Sequence, residues 1–167
     1  MKSARELVDR LRAYQPPNTD LGQHFLIDDA MLERMVAIAG VNKDDHILEI
    51  GPGPGTLTQY LLKTGANVTA IEIDDAPVLH LDEAFREEQN TKQLILHHDD
   101  ALNAAWPSDI TKVVANIPYQ ISSPWYLKNK YMLRWTHRFC KAIKGSPRRI
   151  IYGKNREIPP LFDKQNI

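Results

Sequence analysis

Cysteine is nearly absent from this chain, with Cys140 alone among 167 residues. A lone cysteine closes no internal disulfide, which excludes a secreted disulfide scaffold and a Cys-rich zinc module and fits a reducing cytosol. Long apolar runs are missing too, and none approaches the roughly 20 residues that a membrane span requires. Met1-Lys2-Ser3-Ala4-Arg5-Glu6 has no apolar segment behind its basic residues, so no secretory signal is expected. Internal repeats and low-complexity tracts are lacking as well. What remains is 19.1 kDa of 43% hydrophobic and 25% charged sequence. That composition excludes wholesale disorder and suits one compact domain with a short appendage.

Net charge is also absent, since 21 Lys+Arg offset 21 Asp+Glu, but the balance hides a division. Residues 1–124 carry 10 Lys+Arg against 19 Asp+Glu, whereas residues 125–167 carry 11 against 2. An acidic body of −9 therefore meets a basic segment of +9 near Pro124.

Within the body, Ser3 and Glu6 form a capping-box pattern, and Ala4, Leu7, Val8 and Leu11 recur at helical spacing. Pro16-Pro17 is expected to stop that helix. A second helix is expected after Asp28, with Met31, Met35, Val36 and Ala39 on one face and Gly40 as its stop. His46 to Ile50 reads as a buried strand, Leu57 to Thr64 as a helix, Asn67 to Ile73 as a second strand and Asp75 to Phe85 as another helix. Leu94-Ile95-Leu96 and Val113-Val114-Ala115 read as third and fourth strands. This alternation predicts an α/β fold with right-handed crossovers and a parallel sheet covered on both faces. In such sheets ligands lie at the carboxyl ends of the strands, and four unusual clusters fall there.

Glu49-Ile50-Gly51-Pro52-Gly53-Pro54-Gly55 joins the first strand to a helix. Alternating glycines allow a sharp turn and close backbone approach to a ligand. The spacing is G-x-G-x-G, and no Gly-Lys-Ser/Thr follows, which disfavours a phosphate-cradling P-loop. Glu72 stands 21 residues after Gly51, near the separation at which an acidic residue receives ribose hydroxyls in nucleotide sites. A solvated surface carboxylate is the alternative, given Asp74 and Asp75 beside it, but the spacing favours Glu72 among the three. Asp99-Asp100-Ala101 ends the third strand and could accept from an adenine amine or cap a loop. His97 and His98 next to it lack partners at metal-ligand spacing, so no metal is expected.

Asn116-Ile117-Pro118-Tyr119 follows the fourth strand. A purine exocyclic amine is a poor nucleophile because its lone pair is delocalised into the ring. An asparagine oxygen and a main-chain carbonyl could hold that amine and favour a pyramidal nitrogen. The face of Tyr119 could stack an extruded base, worth roughly 1–3 kcal/mol. Taken alone, Asn-x-Pro is also a common turn.

In the order Gly22-Gln23-His24-Phe25-Leu26, Glu49 to Gly55, Ile71-Glu72-Ile73-Asp74, Asp100-Ala101 and Asn116-Ile117-Pro118-Tyr119, the chain resembles the ribosomal RNA adenine dimethyltransferases. The resemblance covers about residues 15–124. Asn-Ile-Pro-Tyr sets it apart from DNA and protein amino-methyltransferases, which usually carry Asn-Pro-Pro-Tyr. It implies a Rossmann-like class I methyltransferase fold that uses S-adenosylmethionine to dimethylate N6 of two adjacent adenines in small-subunit ribosomal RNA. The implied partner is that RNA or the pre-ribosomal small subunit, in the cytoplasm and away from membranes. By position, Gln23, His24 and Leu26 would line the methionine side of the cofactor, with Gly51, Gly53, Gly55 and Ala101 against it. Glu72 would hold the ribose and Asp100 the adenine. Asn116 would contact both cofactor and target amine, with Pro118 and Tyr119 completing the catalytic motif. His24 departs from the asparagine more often found there.

After Ser122-Ser123-Pro124 the family pattern stops. Residues 1–124 are expected to form the cofactor-binding core, with an N-terminal helix and motif loop over 1–27. Residues 125–167 form a basic tail in place of the family's further strands and helical domain. Met132, Trp135, Phe139 and Ile143 there could form one stripe of a basic amphipathic helix suited to RNA or an acidic membrane surface. A frame shift or truncation near codon 125 would produce the same abrupt change. The sheet is then expected to be incomplete on its C-terminal side, leaving the fourth strand as an uncovered apolar edge. Two readings follow, an active RNA dimethyltransferase and a non-catalytic cofactor- or RNA-binding remnant. A dinucleotide-dependent oxidoreductase shares the glycine loop and Glu72 but gives Asn116-Ile117-Pro118-Tyr119 no role.

Overall fold

The computed structural model describes residues 2–14, 25–101 and 103–116, together with the backbone of 150–153. The first helix, α1 (Ala4–Arg12), begins where the capping box predicts. Ser3 Oγ accepts from the Glu6 N–H at 3.2 Å while Glu6 Oε2 accepts from the Ser3 N–H at 2.6 Å. It ends at Arg12, ahead of Pro16-Pro17, which lie outside the described residues. In α2 (Asp29–Ala39), Asp28 caps the start by accepting from the Met31 N–H, and Gly40 closes the end with a φ of 57°. Leu32, Met35, Val36 and Ala39 are buried there, so Leu32 takes the core position expected of Met31. The stripe 32-35-36-39 keeps the i, i+3, i+4, i+7 rhythm of one helix face.

There follow β1 (His46–Ile50), α3 (Thr56–Lys63), β2 (Asn67–Glu72), α4 (Asp75–Ala84), α5 (Arg86–Asn90), β3 (Leu94–His98), β4 (Lys112–Ala115) and β5 (Ile150–Gly153). The short α5 escapes the sequence reading because Arg-Glu-Glu-Gln-Asn buries none of its residues and so carries no apolar period. The sheet order is β3-β2-β1-β4-β5, with the first four strands parallel.

Strand alternation divides the core. Ile47, Val68, Ala70, Leu94 and Val114 join Leu7, Leu32, Met35, Leu61 and Leu81 of the helices in one cluster. Each fully buried leucine of that face contributes roughly 1.5–3 kcal/mol. Leu48, Ile50, Ile71, Val113 and Ala115 face the other way, against Ala101, Ala104, Trp106 and Ile110. The second face is thus closed by the β3–β4 connection rather than by a helix, among the described residues. Asp29 Oδ1 binds the helical layer together, accepting from the Ala4 N–H at 3.1 Å and the Tyr60 hydroxyl at 2.8 Å.

The expected bare edge at β4 is not what the structure has. Residues 150–153 of the basic segment lie antiparallel beside it, Val113 opposite Tyr152 and Ala115 opposite Ile150. Four residues suffice because β4 is itself only four long. A strand from any source satisfies the edge N–H and C=O groups, so covering this edge does not require the family's own next strand.

At the amino edge of the sheet, Lys112 Nζ lies 2.5 Å from Asp45 Oδ2 and donates to the Gly40 carbonyl at 2.8 Å. The Thr111 hydroxyl donates to Asp45 Oδ1 at 2.8 Å, and the Asn42 N–H to Asp45 Oδ2 at 2.9 Å. Burial pushes the Asp45 carboxyl up, but these donors together outweigh it and hold the group below its usual range. This network fastens β4 to β1 and to the end of α2, leaving the opposite, carboxyl edge to carry the loops.

Candidate functional site at the carboxyl edge of the sheet

The register Ile50↔Ile71 and Glu72↔His98 aligns the tips of β1, β2 and β3. Leu48↔Val113 sets β4 two residues short of its tip, so Asn116 emerges beside the start of the glycine loop. Gly53, Glu72, Asp100 and Asn116 therefore belong to one edge rather than to separate surfaces.

The glycine loop is held at each of its last three residues. Gly53 has a φ of 55°, and a Cβ there would meet the Phe25 ring at 3.2 Å. Its N–H donates to Glu72 Oε2 at 3.0 Å. The Pro54 carbonyl lies 3.1 Å from His80 Nε2. Gly55 has a φ of 79°, and a Cβ there would overlap the Phe85 ring and meet Leu81 Cδ2 at 2.8 Å. L-residues avoid this backbone region at both positions, and at Gly55 the overlap excludes a side chain a second time.

Glu72 is buried at the tip of β2, contrary to the surface-carboxylate reading. Besides the Gly53 N–H, it accepts at Oε1 from the Ile73 N–H at 2.8 Å and the Asp74 N–H at 3.1 Å. Its own carbonyl accepts from the Asp99 N–H at 2.9 Å. Burial raises its carboxyl, and the three amide donors only partly offset that. One side chain thus joins the glycine loop to the β2 turn. Ile73 beside it is exposed despite its apolar side chain.

Of the two adjacent aspartates, Asp99 is exposed and Asp100 half-buried. Asp100 Oδ2 accepts from Asn103 Nδ2 at 2.8 Å, and its carbonyl accepts from the N–H groups of Asn103 and Ala104. Asp100 thereby shapes the turn that carries Ala101. His98 sits by the Ile73 carbonyl and Asp75, and no metal-holding cluster occurs among the described residues. No helix there is long and apolar enough to cross a membrane.

Glu49 is the feature that the sequence reading left without a role. It stands at the penultimate position of β1, 1% exposed, and its Oε2 has no hydrogen-bond partner. Burial pushes its carboxyl up to about 8, with Thr58 the group that tempers this most and Glu72 adding to it. Thr58 Oγ1 nonetheless makes no hydrogen bond of proper geometry, so the tempering is by proximity. The signal was present, since one acidic residue inside His-Ile-Leu-Glu-Ile interrupts a strand buried on both faces. Gln23, His24, Pro118 and Tyr119 lie outside the described residues, while Leu26 is half-buried against the helical core.

The family model of the ribosomal RNA adenine dimethylases matches residues 15–139, three quarters of the chain. The chain belongs to the ribosomal RNA adenine dimethylase family. Among curated relatives of this family, the probable ribosomal RNA small subunit methyltransferase A of Methanopyrus kandleri is 49% identical over 108 residues, 65% of this chain and 38% of that protein. The ribosomal RNA small subunit methyltransferase A of Corynebacterium diphtheriae is 44% identical, covering 72% of this chain and 41% of its own length. The chain spans about two fifths of the length of these relatives. The crystal structure of a dimethyladenosine transferase from Plasmodium falciparum superposes with a TM-score of 0.54 at 31% identity, covering 63% of this chain and 38% of that one. That of the 23S rRNA methyltransferase ErmE gives 0.55 at 32%, covering 64% and 44%. The fold is that of the class I S-adenosylmethionine-dependent methyltransferases.

Proposed function

We propose that this chain is the cofactor-binding catalytic portion of an S-adenosylmethionine-dependent enzyme that dimethylates N6 of adjacent adenines in small-subunit ribosomal RNA. The observation that carries this reading is the convergence of the glycine loop, Glu72, Asp100 and Asn116 on one sheet edge, in the family's order. The residues present fit the cofactor, which is a cation at its sulfonium and ammonium groups. They offer a loop with a positive φ at Gly51, Gly53 and Gly55, no room for a Cβ at Gly55, and a buried acidic oxygen on Glu49 without a partner.

When bound, S-adenosylmethionine supplies an electrophilic methyl group on sulfur. Gly51, Gly53 and Gly55 would let the backbone approach it, Glu72 and Asp100 would fix its nucleoside, and Leu26 and Ala101 would exclude water from it. Gln23 and His24 would complete the methionine side. Asn116 would accept hydrogen bonds from the target amine and hold its lone pair toward the methyl group. Pro118 would stiffen that loop, and Tyr119 would stack the base. No strong base is needed, because the nitrogen sheds its proton after transfer. Most of the acceleration would come from alignment of amine and methyl donor. The reading places the protein in the cytoplasm with the pre-ribosomal small subunit.

The test is methyl transfer from labelled S-adenosylmethionine to undermethylated small ribosomal subunits, with Asn116→Ala as control. Transfer that disappears in the variant is expected. A folded chain that binds the cofactor without transfer would favour the non-catalytic reading, and one that binds no cofactor would overturn both.

A further inference from the structure

His80 is 2% exposed on α4. Nothing in the proposed chemistry uses it. Its Nε2 lies 3.1 Å from the Pro54 carbonyl, and its ring meets Tyr14 edge-on with centroids 6.0 Å apart. The Tyr14 hydroxyl in turn bonds Glu83, one helical turn along α4 from His80. The imidazole is thus held on two sides and aimed at one acceptor.

That acceptor needs an outside donor. Proline has no N–H, so the carbonyl is the only hydrogen-bonding group of Pro54. Gly55 is the N-cap of α3, and its carbonyl, not that of Pro54, accepts the first helical bond, from the Gln59 N–H. Pro54 therefore lies one residue too early to be satisfied by the helix. A carbonyl oxygen can only accept, so His80 must carry its proton on Nε2. Burial favours the neutral imidazole that this tautomer requires, against the opposing pull of the Pro54 bond.

We propose that His80 is a positioning residue for cofactor binding, fixing the Pro54–Gly55 peptide and, through the Gly55 N–H that donates to the Pro52 carbonyl, the Pro52–Gly53 peptide, so that the Gly53 N–H stays directed at Glu72. The inference rests on the cofactor reading above. Gly53, Pro54 and Gly55 are successive, and each is restrained by a different neighbour: Glu72, His80 and the Leu81–Phe85 pair. Only the middle restraint is a side-chain donor that can be removed without touching a glycine or a carboxylate. Without it the Pro54–Gly55 peptide keeps only the bond from the Gly55 N–H to the Pro52 carbonyl at 2.9 Å, and any tilt passes through that bond to the Pro52–Gly53 peptide, whose N–H faces Glu72.

The test compares His80→Leu, which keeps the apolar bulk, with His80→Gln, which keeps an N–H donor of similar reach. Affinity for S-adenosylhomocysteine is measured by calorimetry on the full chain, and thermal unfolding is followed without ligand. His80→Leu is expected to weaken binding roughly tenfold or more, and His80→Gln to restore it to within about threefold of the parent. Equal affinity in the parent and His80→Leu would overturn the proposal. So would weak binding in both variants that merely follows their loss of thermal stability. Should His80→Leu fail to fold, nitrogen-15 spectra of the parent decide: a proton on Nε2 is required, and an Nδ1–H tautomer refutes the role. A parent chain that does not bind S-adenosylhomocysteine would overturn the cofactor reading itself.

Discussion

The sharpest stability prediction concerns Glu49→Gln. The carboxyl titrates near 4.5 in an unfolded chain and at about 8 in the folded one, because burial in β1 disfavours its charge. Between those values the folded state binds more protons than the unfolded state, so stability falls as pH rises. Each pH unit inside the window costs a little over 1 kcal/mol, and the step from about pH 6 to about pH 7.5 removes about 2 kcal/mol. Glutamine has nearly the same shape and cannot ionise. Glu72, raised likewise, adds a slope of the same sign, while His80, lowered by burial, adds the opposite slope at more acid pH. Both are common to parent and variant and cancel in the difference. Urea unfolding of both chains at the two pH values, without cofactor, measures it. The variant should lose most of the fall and exceed the parent in stability at the higher pH. Equal pH dependence in the two chains would mean that Glu49 is charged in the fold, and the account of its burial would be wrong.

Other expectations follow from the same contacts. Gly55→Ala puts a methyl group into the Phe85 ring at a φ of 79°, and should cost several kcal/mol in denaturant unfolding and abolish calorimetric cofactor binding. Glu72→Ala leaves the N–H groups of Gly53, Ile73 and Asp74 without their acceptor, so cofactor affinity should drop at least tenfold while the far-ultraviolet spectrum is kept. Lys112→Met leaves the Asp45 carboxylate without its cation, with only the Thr111 hydroxyl and the Asn42 N–H as donors, and urea unfolding should show a loss of about 2–4 kcal/mol with cofactor affinity unchanged. Ser3→Ala removes the acceptor of the Glu6 N–H and should cost about 1 kcal/mol.

The parallel strands and their helices were legible because each carries a strong local signal. His46-Ile47-Leu48-Glu49-Ile50 is an apolar run closed by a glycine, and Ser3 and Asp28 mark helix starts without ambiguity. The carboxyl-edge location of Glu72 and Asn116 followed from strand order alone. What was not legible depended on contacts between segments distant in sequence. Glu72 is buried and bonded to Gly53, 19 residues earlier, a contact that no local pattern encodes. His80 lies 26 residues from Pro54 and looks like any helical histidine until the two are brought together. The pairing of 150–153 with β4 was missed because a four-residue strand within a basic segment has no distinguishing period.

Glu72 couples its surroundings in time as well as in space. Its side chain and carbonyl between them hold the amides of Gly53, Ile73, Asp74 and Asp99, which belong to three different strand tips. The Gly53, Ile73 and Asp74 amide hydrogens share one carboxylate, so an outward swing of that side chain frees these three together, while the Asp99 amide stays on the backbone carbonyl. The protection of those three should coincide, and the glycine loop and the β2 turn should open as one cooperative unit distinct from the sheet beneath.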